Sequence, residues 1–376
     1  MTASHDTDTR HADVAIVGAG VIGCAIAYTL ARATALRIVV FERGTPGCEA
    51  SNAAAGVLAV ASGRARHGVL LDLRRRSAAM FPELVRELEE RTGIDIGYRQ
   101  TGLIALACSA RAAAELRDLV QHRNGQGLPC QLLTPDEARE LEPALNPRLC
   151  AAALFPGDHS IDNQRLVAAL VVAARQRGVA FRSRHAVRAV AAEGNTVTLQ
   201  LESGPFEAGL AIVTAGAWCG ELLAPWGIKV PLRPARGEMT AIQPHGWALR
   251  HTVTANDSYL VPRVNGEVLV GSTTAFVGFD ARVTPEGVAT LLANAAAMVP
   301  RIAAAAPLRS WAGLRPCSTI RRPIIAFLPR IDRVLLATGH HRNGILLAPI
   351  TAQLVTELVT GTPSTVAMRP FGYRRH

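Results

Sequence analysis

Residues 13–23 read Asp-Val-Ala-Ile-Val-Gly-Ala-Gly-Val-Ile-Gly, and the reading of this stretch decides the fold. Asp13 to Val17 predicts a short buried strand. An Ala-rich helical pattern then runs to Arg32, and Arg37 to Glu42 (RIVVFE) predicts a second strand. Strand, glycine turn, helix and strand within about thirty residues make a βαβ unit. Gly18, Gly20 and Gly23 form G-x-G-x-x-G at its turn. The first glycine permits the tight turn, the second lets backbone approach a pyrophosphate, and the third lets helix and strand pack closely. The helix N-terminus offers N–H groups and partial positive charge to phosphates. Glu42 ends the second strand about twenty residues on, where an acid accepts hydrogen bonds from ribose hydroxyls. The motif predicts dinucleotide binding and does not by itself separate FAD from NAD.

Outward from this unit, the 376 residues predict two domains. Apolar residues make up 49% of the chain and aromatics 5%, which suits helix-on-sheet packing and excludes disorder. Residues 44–56 carry few secondary-structure signals. Helices are expected over 74–91, 110–121, 162–177, 287–299 and 345–358, with a capping pattern at Thr134-Pro135-Asp136-Glu137. Strands are expected over 98–107, 179–182, 196–201, 210–214 and 334–338. The 229–271 stretch alternates apolar and polar residues around turns such as Asn265-Gly266 and predicts antiparallel sheet. The expected fold is α/β: a Rossmann-type nucleotide domain interleaved with an antiparallel-sheet domain. The expected segments are a leader at 1–11, a nucleotide domain of 12–90, 150–222 and 312–365, and a substrate domain of 91–149 and 223–311.

Net charge is +10, nearly all from arginine, since Lys229 is the only lysine. The arginines form no long run or tail, which argues against nucleic acid and for anionic small ligands. Seven cysteines, odd in number and without CxxC spacing, argue against a disulfide scaffold and against zinc. The polar first residues carry no signal-peptide pattern, so a cytoplasmic protein is expected, with peripheral membrane attachment left open. His340 and His341 are adjacent, so their side chains diverge and no metal site is expected there. Trp218 and Trp311 read as core or domain-junction residues.

Further segments carry a resemblance. They are Glu49 to Gly56 (EASNAAAG), Tyr259 to Arg263 (YLVPR), Val270 to Thr274 (VGSTT), Trp311 to Pro316 (WAGLRP) and Gly339 to Pro349 (GHHRNGILLAP). In this order they resemble the D-amino-acid-oxidase-like family of FAD enzymes, nearest its glycine-oxidase branch, which serves thiamine biosynthesis. The resemblance implies an FAD domain of the glutathione-reductase type. By matching position it implies that Val21, Ile22, Glu42 and Arg43 meet the adenosine side, with Val187 beside the adenine. Ala50, Ser51, Ala55, Gly56 and Val57 would line pyrophosphate and flavin. His340, His341, Arg342, Asn343, Gly344, Ile345 and Leu346 would wrap the flavin ring. Arg315 would hold a substrate carboxylate, a task suited to the planar guanidinium fork, helped by Tyr259 and Arg342. No side-chain base is implied: a hydride passes from the substrate's α-carbon to FAD and the imine hydrolyses. The implied partners are a small amino acid or amine and O₂ or another electron acceptor, with a homo-oligomer or a partner subunit as family-level expectations.

The match breaks after GLRP. The family reads G-T-x-D-G-x-P-x-I-G, whereas this chain reads Cys317 to Ala326 as CSTIRRPIIA. Ile320 and Arg321 replace an Asp-Gly turn, and because isoleucine disfavours positive φ a changed backbone is expected. Arg321 and Arg322 leave three readings open: a preference for acidic or larger substrates, docking of a partner subunit that takes the electrons, or a solvated basic loop. Cys317 reads as a packed thiol or as a flavin tether.

Overall fold

The strand His11–Val17 runs through Gly18 into Gly20, which caps the first helix, Val21–Ala33, and the chain returns in the strand Ile38–Glu42. The computed structural model describes residues 10–63, 67–329 and 331–373. Residues 1–9 of the expected leader lie outside these, and His11 already belongs to the first strand.

The sheet built on this unit orders its strands as Ile324–Leu328, Ile331–Thr338, Gly204–Val213, His11–Val17, Ile38–Glu42 and Ala180–Ser183, with Val187–Glu193 and Thr196–Leu201 added as a hairpin beside Gly204–Val213. The central pairings are parallel. Parallel sheets are covered on both faces, and the strand IVVFE is accordingly buried at every residue. One face carries the first helix, the long helix Val69–Thr92, the helix Asn163–Arg175 and the C-terminal helix Gly344–Thr360 around a shared apolar core. The other face packs Phe41, Phe206, Leu222 and Leu223 beneath the hairpin.

The second large sheet runs in the order Ala306–Ser318, Leu232–Gln243, Val268–Gly271, Ser258–Pro262, Thr252–Ala255, Leu103–Ala107, Ala151–Phe155 and Gln131–Leu133. All its pairings are antiparallel except Thr252–Ala255 with Leu103–Ala107. The expected antiparallel middle is therefore present, with Asn265-Gly266 at the turn and Gly266 at φ 84°. Ala151–Phe155 and residues 312–318, which the sequence boundaries gave to the nucleotide unit, hydrogen-bond into this second sheet.

The capping box at Thr134 is formed, with Glu137 returning its carboxylate to the Thr134 N–H. The long helix starts at Val69, five residues before the expected 74, and holds Pro82 within it. Residues 44–56 contain a short helix, Ala50–Ala53, that four residues cannot announce by periodicity. Residues 341–360 are long and apolar enough to cross a membrane by length and composition, but most of that stretch is buried inside the protein, where its helix packs on Val21–Ala33 and Val69–Thr92.

Candidate active site

A cavity of about 410 Å³ runs from the glycine turn to the second sheet. At its first end the three glycines do different work. Gly18 has φ 104°, and a Cβ there would lie 2.8 Å from the Thr214 carbonyl oxygen. A Cβ on Gly23 would overlap the Gly18 carbonyl and sit 2.7 Å from Thr214 Oγ1. These two are therefore required by packing of the helix on its own strand and on the neighbouring one. A Cβ on Gly20 would meet only Ser51 Oγ, at 3.3 Å, so its missing side chain clears the cavity itself.

Glu42 Oε2 accepts from the Ala19 N–H at 2.8 Å and Oε1 accepts from the Gly44 N–H at 2.9 Å, which fixes the carboxylate against the turn. Ser51 Oγ accepts from the Val21 N–H at 2.9 Å and so pins the short helix to the first helix. The Asn163 amide donates to the Ser51 carbonyl at 2.6 Å and to that of Asn52 at 3.2 Å. Its Oδ1 accepts from Arg263 of the second sheet at 2.7 Å. Arg43 pairs with Glu49 and lies 3.7 Å over the Trp218 ring. Ala55, Gly56, Val57 and Val187 also line the wall. Gly56 has φ 70°, and a Cβ there would overlap the Ile161 carbonyl.

The other end is built by cross-strand register. Gly237 pairs with Gly313 and Ala235 with Arg315, so Gly237 and Arg315 stand diagonally on one face of the sheet. A Cβ on Gly237 would overlap the Arg315 guanidinium, and a Cβ on Gly313 would meet Ala53 Cβ at 2.5 Å. One glycine lets the arginine lie flat across the strand, and the other lets the short helix approach. Arg315 donates to the Thr273 carbonyl at 3.1 Å and to Ser272 Oγ at 2.8 Å. Burial holds its pKa below the ordinary arginine value; nearby Arg342 pushes the same way and the Tyr259 hydroxyl opposes. Among the described residues no carboxylate acts on it. A half-buried guanidinium bonded only to neutral groups is a ready receptor for an anionic guest. Tyr259 and Arg342 line the same end, with Arg342 donating to Thr274 Oγ1 at 2.7 Å and reaching Asp257 at 3.7 Å.

Because the displaced atoms would be the end of a flexible side chain, Gly237→Ala is expected to fold with a melting temperature close to that of the unaltered protein and to swing Arg315 aside. Failure to fold would show that the guanidinium cannot leave its present pose.

The segment 340–346 closes the cavity. His340, His341, Arg342, Gly344 and Ile345 line it, whereas Asn343 and Leu346 do not, and neither does Gly23. Leu346 instead faces the core, its carbonyl accepting from Ser77 Oγ at 2.6 Å. His340 is buried against Thr351 Oγ1 at 3.0 Å, and burial pushes its pKa down to about 3. His341 has φ 52°; burial, with Arg315 and Arg342 nearby, pushes its pKa down to about 4. Both rings are thus neutral at neutral pH, and the positive charge at this end rests on the arginines. The segment feeds the N-terminus of Gly344–Thr360, which no side chain caps.

At the departure from the family pattern, the positive φ falls on Arg321 at 59°, the position of the family's glycine, and not on Ile320. The turn closes through the Arg321 N–H to the Ser318 carbonyl at 3.0 Å. Arginine thus takes the left-handed conformation and isoleucine is spared it. Trp311 sits at the junction as expected, its indole N–H donating to the Ala53 carbonyl at 3.2 Å. Trp218, read as core or junction, lines the cavity. Gly237, Gly313, Ser272 and Asn163 escaped the sequence reading. The signal for the glycines was present, since glycine inside a strand marks a close approach.

A βαβ glycine turn suited to a dinucleotide, a cavity spanning two sheets and an arginine at its far end are the parts of an enzyme that works with a bound nucleotide cofactor. The family model for FAD dependent oxidoreductase (DAO) matches residues 13–358, and the chain belongs to that family. It is 38% identical over 370 residues to glycine oxidase of Geobacillus kaustophilus, with 98% of each chain covered. The crystal structure of glycine oxidase from that organism superposes with a TM-score of 0.94 over 98% of this chain and 100% of the other. The iminodiacetate oxidase of Chelativorans sp. BNC1 is 28% identical, with a TM-score of 0.88 over 96% of this chain and 98% of that one. The protein is an FAD-dependent amino-acid oxidoreductase of the glycine-oxidase kind.

Proposed function

We propose that the protein oxidatively deaminates a small amino acid or amine, namely glycine, sarcosine or a small D-amino acid, and passes the electrons to O₂. The observation that carries this reading is Arg315: a half-buried cation, with no acid partner among the described residues, at the opposite end of the cavity from the glycine turn. The lining fits FAD, because Gly20 leaves backbone bare at a helix N-terminus and the cavity extends from there to Arg315 without interruption.

Bound FAD supplies the two-electron acceptor for the substrate's C–H bond. Glu42, with Arg43 and Val187 nearby, holds the adenosine end, and Ser51, Ala55 and Gly56 shape the passage. Arg315 and Tyr259 take the substrate carboxylate and thereby orient its α-carbon, while Arg342 closes the mouth. The substrate loses a hydride and a proton, the imine takes up water, and an oxoacid leaves together with ammonia, or with methylamine when the substrate is sarcosine. O₂ takes the two electrons and two protons and becomes hydrogen peroxide. The seven cysteines are free thiols, which supports a reducing, cytoplasmic setting.

The test is anaerobic reduction across a panel of glycine, sarcosine, D-alanine and iminodiacetate. Bleaching of the flavin absorbance by a small amine, then peroxide on re-aeration, is expected. Bleaching by none of the panel overturns the substrate class. Bleaching without peroxide overturns the oxidase assignment.

A further inference from the structure

An irregular loop after the strand Val268–Gly271 carries the run Phe276-Val277-Gly278-Phe279. Its root is stiff. Ala275 exchanges two backbone hydrogen bonds with Arg236, at 2.8 and 3.0 Å. Asp280 reaches Arg236 at 3.4 Å and receives Arg282 Nε and Nη2, each at 2.9 Å. Its tip is apolar and exposed, with Phe276 at 47% and Phe279 at 44% of full exposure. Phe276, Val277 and Phe279 thus form a cluster of neighbouring exposed apolar side chains rather than a single exposed residue.

Phe279 meets Trp218 with ring centroids 5.7 Å apart. Trp218 belongs to the short turn Gly216–Trp218 after the strand Gly204–Val213 of the nucleotide sheet and lines the cavity. Arg43 also lies on its ring, 3.7 Å from the centroid, and lines the cavity beside Glu42. Thus Arg43 and Phe279 both bear on one indole, and Phe279 reaches it from the second sheet's loop. The second phenylalanine of the loop does something else: Phe276 lies under Arg233, 4.3 Å from ring centroid to guanidinium carbon.

We propose that Phe279, Trp218 and Arg43 form a clasp over the nucleotide end of the cavity that slows release of FAD, with Phe279 as the positioning residue that the second sheet contributes. The inference rests on the reading that the adenosine end lies at Arg43. The ring contact orients Trp218, and the indole in turn keeps Arg43 over the cavity rather than in solvent. Aromatic and cation–π contacts of this kind persist at partly exposed sites, where a point charge alone would be screened.

The experiment is FAD release from the purified holoenzyme, followed by the recovery of free-flavin fluorescence after large dilution into buffer. Phe279→Ala is expected to release FAD about 3- to 10-fold faster. Phe279→Tyr is expected to restore the wild-type rate, and Phe276→Ala, on the same loop, to leave it unchanged. The Phe279 variant should retain the wild-type KM for substrate, since Arg315 and Tyr259 are untouched. Equal release from wild type and Phe279→Ala overturns the clasp, as does equal acceleration by the two alanine variants, which would mean that the loop acts as a whole. Should Phe279→Ala fold poorly, Phe279→Leu keeps the bulk and removes the ring, and the same comparison applies. An FAD affinity left unchanged by Glu42→Ala would instead overturn the placing of the adenosine end.

Discussion

Replacing Arg315 by alanine is expected to give a yellow protein that binds FAD normally and has lost its hold on substrate. The guanidinium is half-buried, bonded to Ser272 and Thr273, and faces no carboxylate among the described residues. Its neighbours in the sheet have given up side chains so that it can lie there: Gly237 cannot carry even a methyl group without striking it. Removing a charged group from a desolvated contact with an opposite charge costs about 3 kcal/mol, roughly a hundredfold or more in kcat/KM. The loss should appear chiefly in KM and be steepest for substrates whose only charged anchor is the carboxylate. Arg315→Lys should recover only part of it, because an ammonium lacks the planar fork. Steady-state peroxide formation with a titrated flavin content checks this. An alanine variant with wild-type KM would remove Arg315 from the substrate site and leave the FAD reading intact.

Gly23→Val is expected to fail in the opposite way, yielding colourless protein. A side chain at residue 23 would run into the Gly18 carbonyl and the Thr214 hydroxyl, both fixed by the hydrogen bond between them at 2.7 Å. The first helix must then lift from its strand. Overpacking of this kind costs typically about 1–3 kcal/mol and more where backbone is struck. Helix displacement also moves the Val21 N–H away from Ser51 Oγ, so the passage loses its shape together with the phosphate-facing helix end. FAD affinity should fall at least about tenfold, with a lower melting temperature for the apoprotein. A yellow Gly23→Val protein with ordinary FAD affinity would mean that this glycine serves no packing role.

The two variants also mark where sequence suffices and where it does not. The requirement at residues 18 and 23 is local: the glycines lie within one turn of the strand and helix they join. Periodicity on either side identifies both elements, so position and reason could be read together. Gly237 is different. Its need arises because Ala235 pairs with Arg315 across strands about eighty residues apart in sequence, and only that register puts the guanidinium over it. Asn163 likewise acts on the carbonyls of Ser51 and Asn52, more than a hundred residues upstream, which no local pattern foretells. The turn at 319–322 shows a third case. The replacement of Asp-Gly was legible, but not that Arg321, rather than Ile320, takes the left-handed conformation in the turn that closes on Ser318.

The order of the nucleotide sheet has a consequence for how the chain is made. The strand His11–Val17 pairs with Gly204–Val213, which in turn pairs with Ile331–Thr338. The opening motif thus leaves the ribosome early with one sheet neighbour, Ile38–Glu42, but waits for the other, Gly204–Val213, until past mid-length, and its covering helix, Gly344–Thr360, comes near the end. A nascent chain stalled at mid-length would carry the glycine turn with no cradle around it and an apolar sheet edge open to its neighbours. Loading of the yellow prosthetic group should therefore be a post-translational event, and expression at low temperature with holding chaperones should raise the yield of coloured protein more than added riboflavin does.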